Sequence, residues 1–170
     1  MRFPFQPEAF PKNNHAYIKE NAEQTAAYAR KIAAVHGAHH PELIEIAAIF
    51  DKVAVDMAAH LREEEEVFFP AVRRAWAEIK AGSAADAKDI GTIRELLVKL
   101  LHEHEEVGNA IHAIRHLAKE YAIPEDACTT FELMYRKLKE FEDDLHTHIH
   151  LENNILFPKG DQCCLRKGNV

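Results

Sequence analysis

Two stretches of this chain carry the same pattern of metal-ligating side chains. His60-x-x-x-Glu64-x-x-Val67-x-Phe69-Pro70 aligns without gaps to His148-x-x-x-Glu152-x-x-Ile155-x-Phe157-Pro158. Positions four apart on an α-helix differ in direction by only ~40°, so each His and its Glu project toward one point. Imidazole and carboxylate together, with no buried thiolate, suit iron, manganese or zinc rather than copper(I) or an iron–sulfur cluster.

The apolar periodicity decides whether those residues face inward. In the second helical segment Leu43, Ile46, Phe50, Val53 and Met57 recur every three or four positions, and the same stripe continues through His60, Glu64 and Val67. Another runs Met134, Leu138, Phe141, Leu145, then His148, Glu152 and Ile155. A third reads Ile93, Leu97, Leu100, His104, Val107, Ile111, Ile114, and the first reads His15, Ile18, Ala22, Thr25, Ala29, Ile32. A single histidine in such a stripe is ordinarily a hydrogen-bonded core residue. Four stripes with one histidine each, two of them adding a carboxylate, point instead to a shared metal site, because a buried carboxylate is costly unless paired or metal-bound. His15, His60, His104, His148, Glu64 and Glu152 are too many donors for one tetrahedral zinc. Two metals bridged by Glu64 and Glu152, with two histidines each, use every donor, and iron is the favoured identity. His102, His112, His116, His146 and His150 fall off the stripes and read as solvated; His39 and His40 fall in a turn. His36 continues the first stripe, but 21 residues, ~31 Å of helix, separate it from His15.

Four long helices are needed to bring these stripes together. Asn13 and Asn14 are candidate caps for a helix from about His15 to Val35, and Gly37 and Pro41 mark the break before a second helix reaching Phe69. Pro70 is expected to kink or end that helix, with 71–80 helical again. A loop over 81–91 precedes a capping-box pattern, Thr92 and Glu95, opening a third helix to about Tyr121. Pro124, Glu125 and Asp126 start a fourth, ending at Phe157-Pro158. The fold class expected is all-α, an antiparallel up-down-up-down four-helix bundle over residues 1–160, with a flexible tail over 161–170 carrying Cys163 and Cys164. One misfit stands out: a turn near position 123 leaves His104 about two helical turns from the level of His148, which a kink near Gly108 or a longer connection would absorb.

Composition narrows the partners. The chain has 170 residues, 47% hydrophobic, with a net charge of −7, so bulk electrostatics do not favour nucleic acid or an anionic membrane. No apolar run approaches the ~20 residues that span a bilayer, and Met1 to Pro11 lacks the apolar stretch of a signal peptide. Three cysteines make no disulfide framework, so a reducing cytoplasm is expected.

The paired His-x-x-x-Glu motifs resemble the hemerythrin-like (HHE cation-binding) di-iron proteins. The match is closer to the branch of iron–sulfur cluster repair di-iron proteins, through Asn14-His15, Val35-His36-Gly37, His60 through Pro70, Glu103-His104-Glu105-Glu106, Ala127-Cys128-Thr129-Thr130 and His148 through Pro158, with Leu151-Glu152-Asn153-Asn154 the most specific segment. The resemblance covers about residues 8 to 160. It implies His15, His60, His104 and His148 as terminal ligands, Glu64 and Glu152 as bridges essential to reactivity, and two non-haem iron ions, oxo- or hydroxo-bridged when oxidised. Oxygen-carrying hemerythrins have a further histidine one turn after the third-helix ligand; Gly108 stands there in this chain, which implies an open iron position and reactivity rather than oxygen storage. Glu103 is a candidate nearby acid or iron-exit ligand, although a solvated helix residue is the simpler reading. Longer members of the branch carry an N-terminal domain with adjacent cysteines that this sequence lacks, its own adjacent pair being Cys163-Cys164. The function implied is a stress-response protein that binds or reduces nitric oxide or supplies iron to damaged clusters, with nitric oxide, oxygen and iron–sulfur proteins as partners. Whether it turns over as a nitric oxide reductase-type oxidoreductase is left open, the alternative being an oxygen-binding or redox-sensing module.

Overall fold

The computed structural model describes residues 12–165, and among these every regular element is helical. Helix α1 spans Lys12–His36, α2 Glu42–Glu63, α3 Phe69–Lys80, α4 Ala87–Leu117, α5 Thr129–Leu151 and α6 Phe157–Leu165. Two π-helical turns, Glu64–Phe68 and Glu152–Leu156, join α2 to α3 and α5 to α6 without a break. Met1–Pro11 and residues 166–170, including Arg166 and Lys167, lie outside the described residues. No described helix is long and apolar enough to cross a membrane.

Each long helix buries the stripe read from its sequence. Ile18 through Ile32, Leu43 through Met57, Ile93 through Ile114 and Met134 through Leu145 are buried at the expected spacings. They form two apolar clusters. One is centred on Phe50, Phe131 and Phe141; the other contains Phe68, Ala75, Leu100 and Phe157. Between the clusters lies a polar layer formed by His15, His60, Glu64, His104, His148 and Glu152, all buried.

The prolines act differently from expectation. Pro70 and Pro158 neither end nor break their helices. Each has no N–H to donate and a ring that clashes with the carbonyl four residues back. The chain widens into an i→i+5 turn instead, with the Phe69 N–H on the Glu64 carbonyl and the Phe157 N–H on the Glu152 carbonyl. The wider turn rotates the residues after each glutamate. Val67 (42% exposed) and Ile155 (45%), expected to face inward, face solvent, and Phe68 and Leu156 are buried in their place.

Helix boundaries also shift. α1 is already helical at Lys12, so neither Asn13 nor Asn14 marks its start. α4 opens five residues before Thr92, capped by the Asp86 carboxylate accepting from the Lys88 N–H at 2.7 Å, and the Thr92–Glu95 box lies inside it. α5 starts at Thr129, not at Pro124–Asp126. Residues 161–165 are not a flexible tail: they complete α6, where Cys163 and Cys164 are buried against α4 and Arg94 donates to the Cys164 carbonyl.

The misfit in the second pair of helices is absorbed by the connection, not by a kink. α4 runs through Gly108 as one helix. Arg115 reaches Glu142 and His104 reaches Asn153, a pairing that turns near Cys128 rather than near position 123. The extra length begins with Lys119, Glu120 and Tyr121, three consecutive non-glycine residues at φ 50, 58 and 60. Left-handed backbone costs ~1–2 kcal/mol per such residue. Side chains hold it: Arg115 pairs with Glu120 and Glu142, and the Tyr121 hydroxyl donates to buried Glu142 at 2.8 Å.

Candidate metal centre

The six residues come together as two overlapping sets. One ligand atom from each of His15, Glu64, His148 and Glu152 lies within 4.8 Å of the others, and the same holds for His60, Glu64, His104 and Glu152. Both glutamates belong to both sets. α1 and α4 contribute one histidine each, and the two His-x-x-x-Glu segments contribute the rest from the ends of α2 and α5. The Nε2 atoms of His60 and His104 stand 3.0 Å apart, the spacing of two imidazoles that share one ion as neighbouring ligands.

Within the protein these groups are poorly satisfied. Both carboxylate oxygens of Glu64 are buried without a hydrogen-bond partner, and Glu152 Oε2 has only the Nε2 atoms of His104 and His148 beside it, at 3.1 Å, without a well-formed hydrogen bond. Glu64 is fully buried, with its nearest imidazole nitrogens at 3.5 Å (His60) and 3.8 Å (His15), too far for good hydrogen bonds. Orphaned carboxylate oxygens in a closed core are the atoms a bound cation satisfies, so the donor set fits a pair of metal ions.

The electrostatics are those of a crowded acid–base cluster. Burial drives the Glu64 carboxyl upward, with the neighbouring Glu152 charge adding to the effect and His60 opposing it. Burial acts on Glu152 too, but contacts with His104, His148 and His15 outweigh it and hold that carboxyl well below its usual range. For His60, burial opposes protonation, yet Glu64 and Glu103 prevail and push the imidazole up to about 9. His15 is raised in the same way, burial being overcome by Glu152, Glu64 and Glu65.

A second layer, largely missed in the sequence, orients the imidazoles. His15 Nδ1 donates to Glu65 at 3.0 Å, His60 Nδ1 to Glu103 at 2.7 Å and His104 Nδ1 to Asn153 at 2.9 Å. Holding a proton on Nδ1 makes Nε2, aimed at the centre, the nitrogen that gives up its proton to an incoming ion. Lys19 anchors Glu65 at 3.1 Å, and Lys99 pairs with Glu103 at 3.5 Å. Glu103 is therefore half-buried and engaged, not a free solvated carboxylate. Glu65 and Asn153 occupy the same place in the internal repeat, directly after the shared glutamates, and each reaches a histidine on another helix. The repeated phenylalanines behave alike: Phe69 lies 5.8 Å from the His15 ring, and Phe157 stacks on His104 at 5.4 Å and 9°. The legible signal was a polar residue at matching repeat positions.

A 460 Å³ cavity between α2 and α4, lined by Lys52, Asp56, Met57, His60, Glu103 and Val107 among others, reaches the His60 side of the centre. At nearby Gly108 an added Cβ would meet nothing within 4 Å. His36 lies at the far end of α1 and takes no part in the site.

Comparison with known proteins agrees with this geometry. The hemerythrin HHE cation-binding domain matches residues 9–160. The chain belongs to that family. Among its curated relatives is the iron–sulfur cluster repair protein ScdA of Staphylococcus epidermidis, 32% identical over 145 residues covering 85% of this chain and 61% of the relative. The probable iron–sulfur cluster repair protein of Haemophilus influenzae is 33% identical over 85% of the chain and 59% of its own length. The repair protein DnrN of Neisseria gonorrhoeae is 31% identical over 85% of the chain and 83% of its own. The HHE chain thus spans about three-fifths of the length of the staphylococcal relatives.

Proposed function

We propose that this chain holds two iron ions between Glu64, Glu152 and the four histidines, and serves the nitrosative and oxidative stress response by binding or reducing nitric oxide, by supplying iron for cluster repair, or by both. The observation that carries this reading is the pair of donor sets sharing two buried carboxylates, with both oxygens of Glu64 and Oε2 of Glu152 lacking a hydrogen bond. Iron held there supplies a redox-active Lewis acid accessible to a small diatomic ligand. The protein's part is positional. Glu65, Glu103 and Asn153 fix the tautomers of His15, His60 and His104. Gly108 leaves space beside His104, and the α2–α4 cavity gives a small molecule a path to His60. The names of the relatives support a repair role, and three free cysteines suit a reducing cytoplasm.

Metal analysis of the purified chain tests the first step, with about two irons per chain expected. Loss of nitric oxide or oxygen in the presence of the reduced protein is expected to vanish in Glu64→Ala and Glu152→Ala. If those variants react normally, the assignment is wrong. Reversible oxygen uptake without turnover would instead identify an oxygen-binding or redox-sensing module.

A further inference from the structure

Two sequence motifs have no place in the metal centre, and the fold brings them together. Val35-His36-Gly37 ends α1, and Ala127-Cys128-Thr129-Thr130 opens α5. His36 Nε2 lies 3.1 Å from Cys128 Sγ although 92 residues separate them. Along α1 the pair is ~31 Å from His15, so it is chemically separate from the metal centre.

The geometry points to a thiol–imidazole pair that exchanges with small disulfides, making Cys128 a site of reversible mixed-disulfide formation. Cysteine is among the most buried residue types, yet Cys128 is exposed, whereas Cys163 and Cys164 are buried. Its sulfur makes no capping bond to α5 despite standing at the N-cap, φ −80 and ψ 163, of a 23-residue helix. A thiolate there faces the positive end of that helix as well as the imidazole. The imidazole is held in place. Phe131 packs against the His36 ring at 5.4 Å. The turn after it is too tight for a side chain, since a Cβ on Gly37 would stand 2.4 Å from the Ala33 carbonyl. The neighbouring His40 is engaged elsewhere, between Glu42 and Asp126. An imidazole at hydrogen-bond distance separates Cys128 from an incidental surface thiol.

In the exchange the Cys128 proton passes to His36 Nε2 and the sulfur bonds to one sulfur of the disulfide. The disulfide bond breaks, and the departing sulfur leaves as a thiolate. Cys128 is oxidised as the small disulfide is reduced, so no other oxidant is required.

The test uses the full chain and 4,4′-dithiodipyridine, following thiopyridone release. One fast thiol per chain is expected, absent in Cys128→Ser, with Cys163 and Cys164 reacting only on unfolding. His36→Gln, which keeps a polar side chain but cannot take the proton, should slow the fast phase at least about tenfold. His36→Ala should do the same and recover part of the rate in added imidazole. Far-ultraviolet circular dichroism checks that both variants are folded. A fast phase that survives in Cys128→Ser, or that is unchanged in a folded His36 variant, overturns the proposal.

Discussion

Replacing Glu64 with leucine should make the metal-free protein more stable while removing its response to metal. The Glu64 side chain is fully buried, and neither oxygen has a hydrogen bond. Leaving a buried polar group unsatisfied costs ~1–3 kcal/mol, and more for a charge. Leucine removes that cost and adds apolar contact between the two clusters above and below. Against this, His60 loses its 3.5 Å neighbour while keeping the 2.7 Å bond to Glu103 and the 3.0 Å contact with His104. The net gain expected for the metal-free variant is ~1–3 kcal/mol, or about 2–10 °C in Tm for a domain of this size. In the parent, ferrous iron at a hundred times its Kd adds ~2.7 kcal/mol. In Glu64→Leu that increment should disappear, because both donor sets lose a member. Anaerobic thermal unfolding with and without metal reads both effects. A metal-free variant that melts at or below the parent would refute the reasoning, since it would mean that the carboxylate supports the fold rather than the ion.

Four further outcomes follow from named contacts. Asn153→Ala removes the acceptor on His104 Nδ1 and should weaken metal binding ~10–100-fold in a competition titration, while lowering metal-free stability by only the ~1–3 kcal/mol of one lost buried hydrogen bond. Gly37→Ala forces a Cβ to within 2.4 Å of the Ala33 carbonyl and 2.9 Å of Ile44, and should cost ~1–3 kcal/mol in urea unfolding. Tyr121→Phe deletes the 2.8 Å donor to buried Glu142 beside the left-handed turn, with a loss of ~1–2 kcal/mol by the same assay. Asp89 accepts two bonds from Arg74, at 2.9 and 2.6 Å, which hold its carboxyl below the model-compound value of 3.8. That contribution is fully present above pH 3.8 and is lost as pH falls through the lower folded value, so Asp89→Asn should flatten acid unfolding there. Solvent on the Arg74 side keeps the effect small.

The inward stripes and six candidate donors could be read from the chain because both depend on local periodicity. A helix that buries Ile18, Met57, Leu100 or Leu145 must bury whatever stands at the adjoining positions of the same stripe, and on all four helices that is a histidine. The internal repeat was equally legible, since it needs only residue identities at matched intervals. The register after Glu64 and Glu152 was not. Val67 and Ile155 fit an α-helical stripe, but Pro70 and Pro158 force a wider turn, and the outcome depends on how far packing lets the backbone open. Helix ends were hidden for a related reason: Asp86 caps α4 and Cys128 stands at the start of α5 without a capping bond, whereas better-looking signals at Thr92 and Pro124 lie inside a helix and in a turn.

Sequence alone thus determined the helices, their buried faces and the chemistry of the donors, because each follows from spacing along one chain. Only the tertiary structure decided which donors share an ion-sized space. It also decided that residues after the shared glutamates turn the histidines of other helices, and that His36 meets Cys128 rather than the metal layer. Those relations join residues tens of positions apart. They are set by the length and strain of the 118–128 connection and by the two π-helical turns, and no local pattern records them.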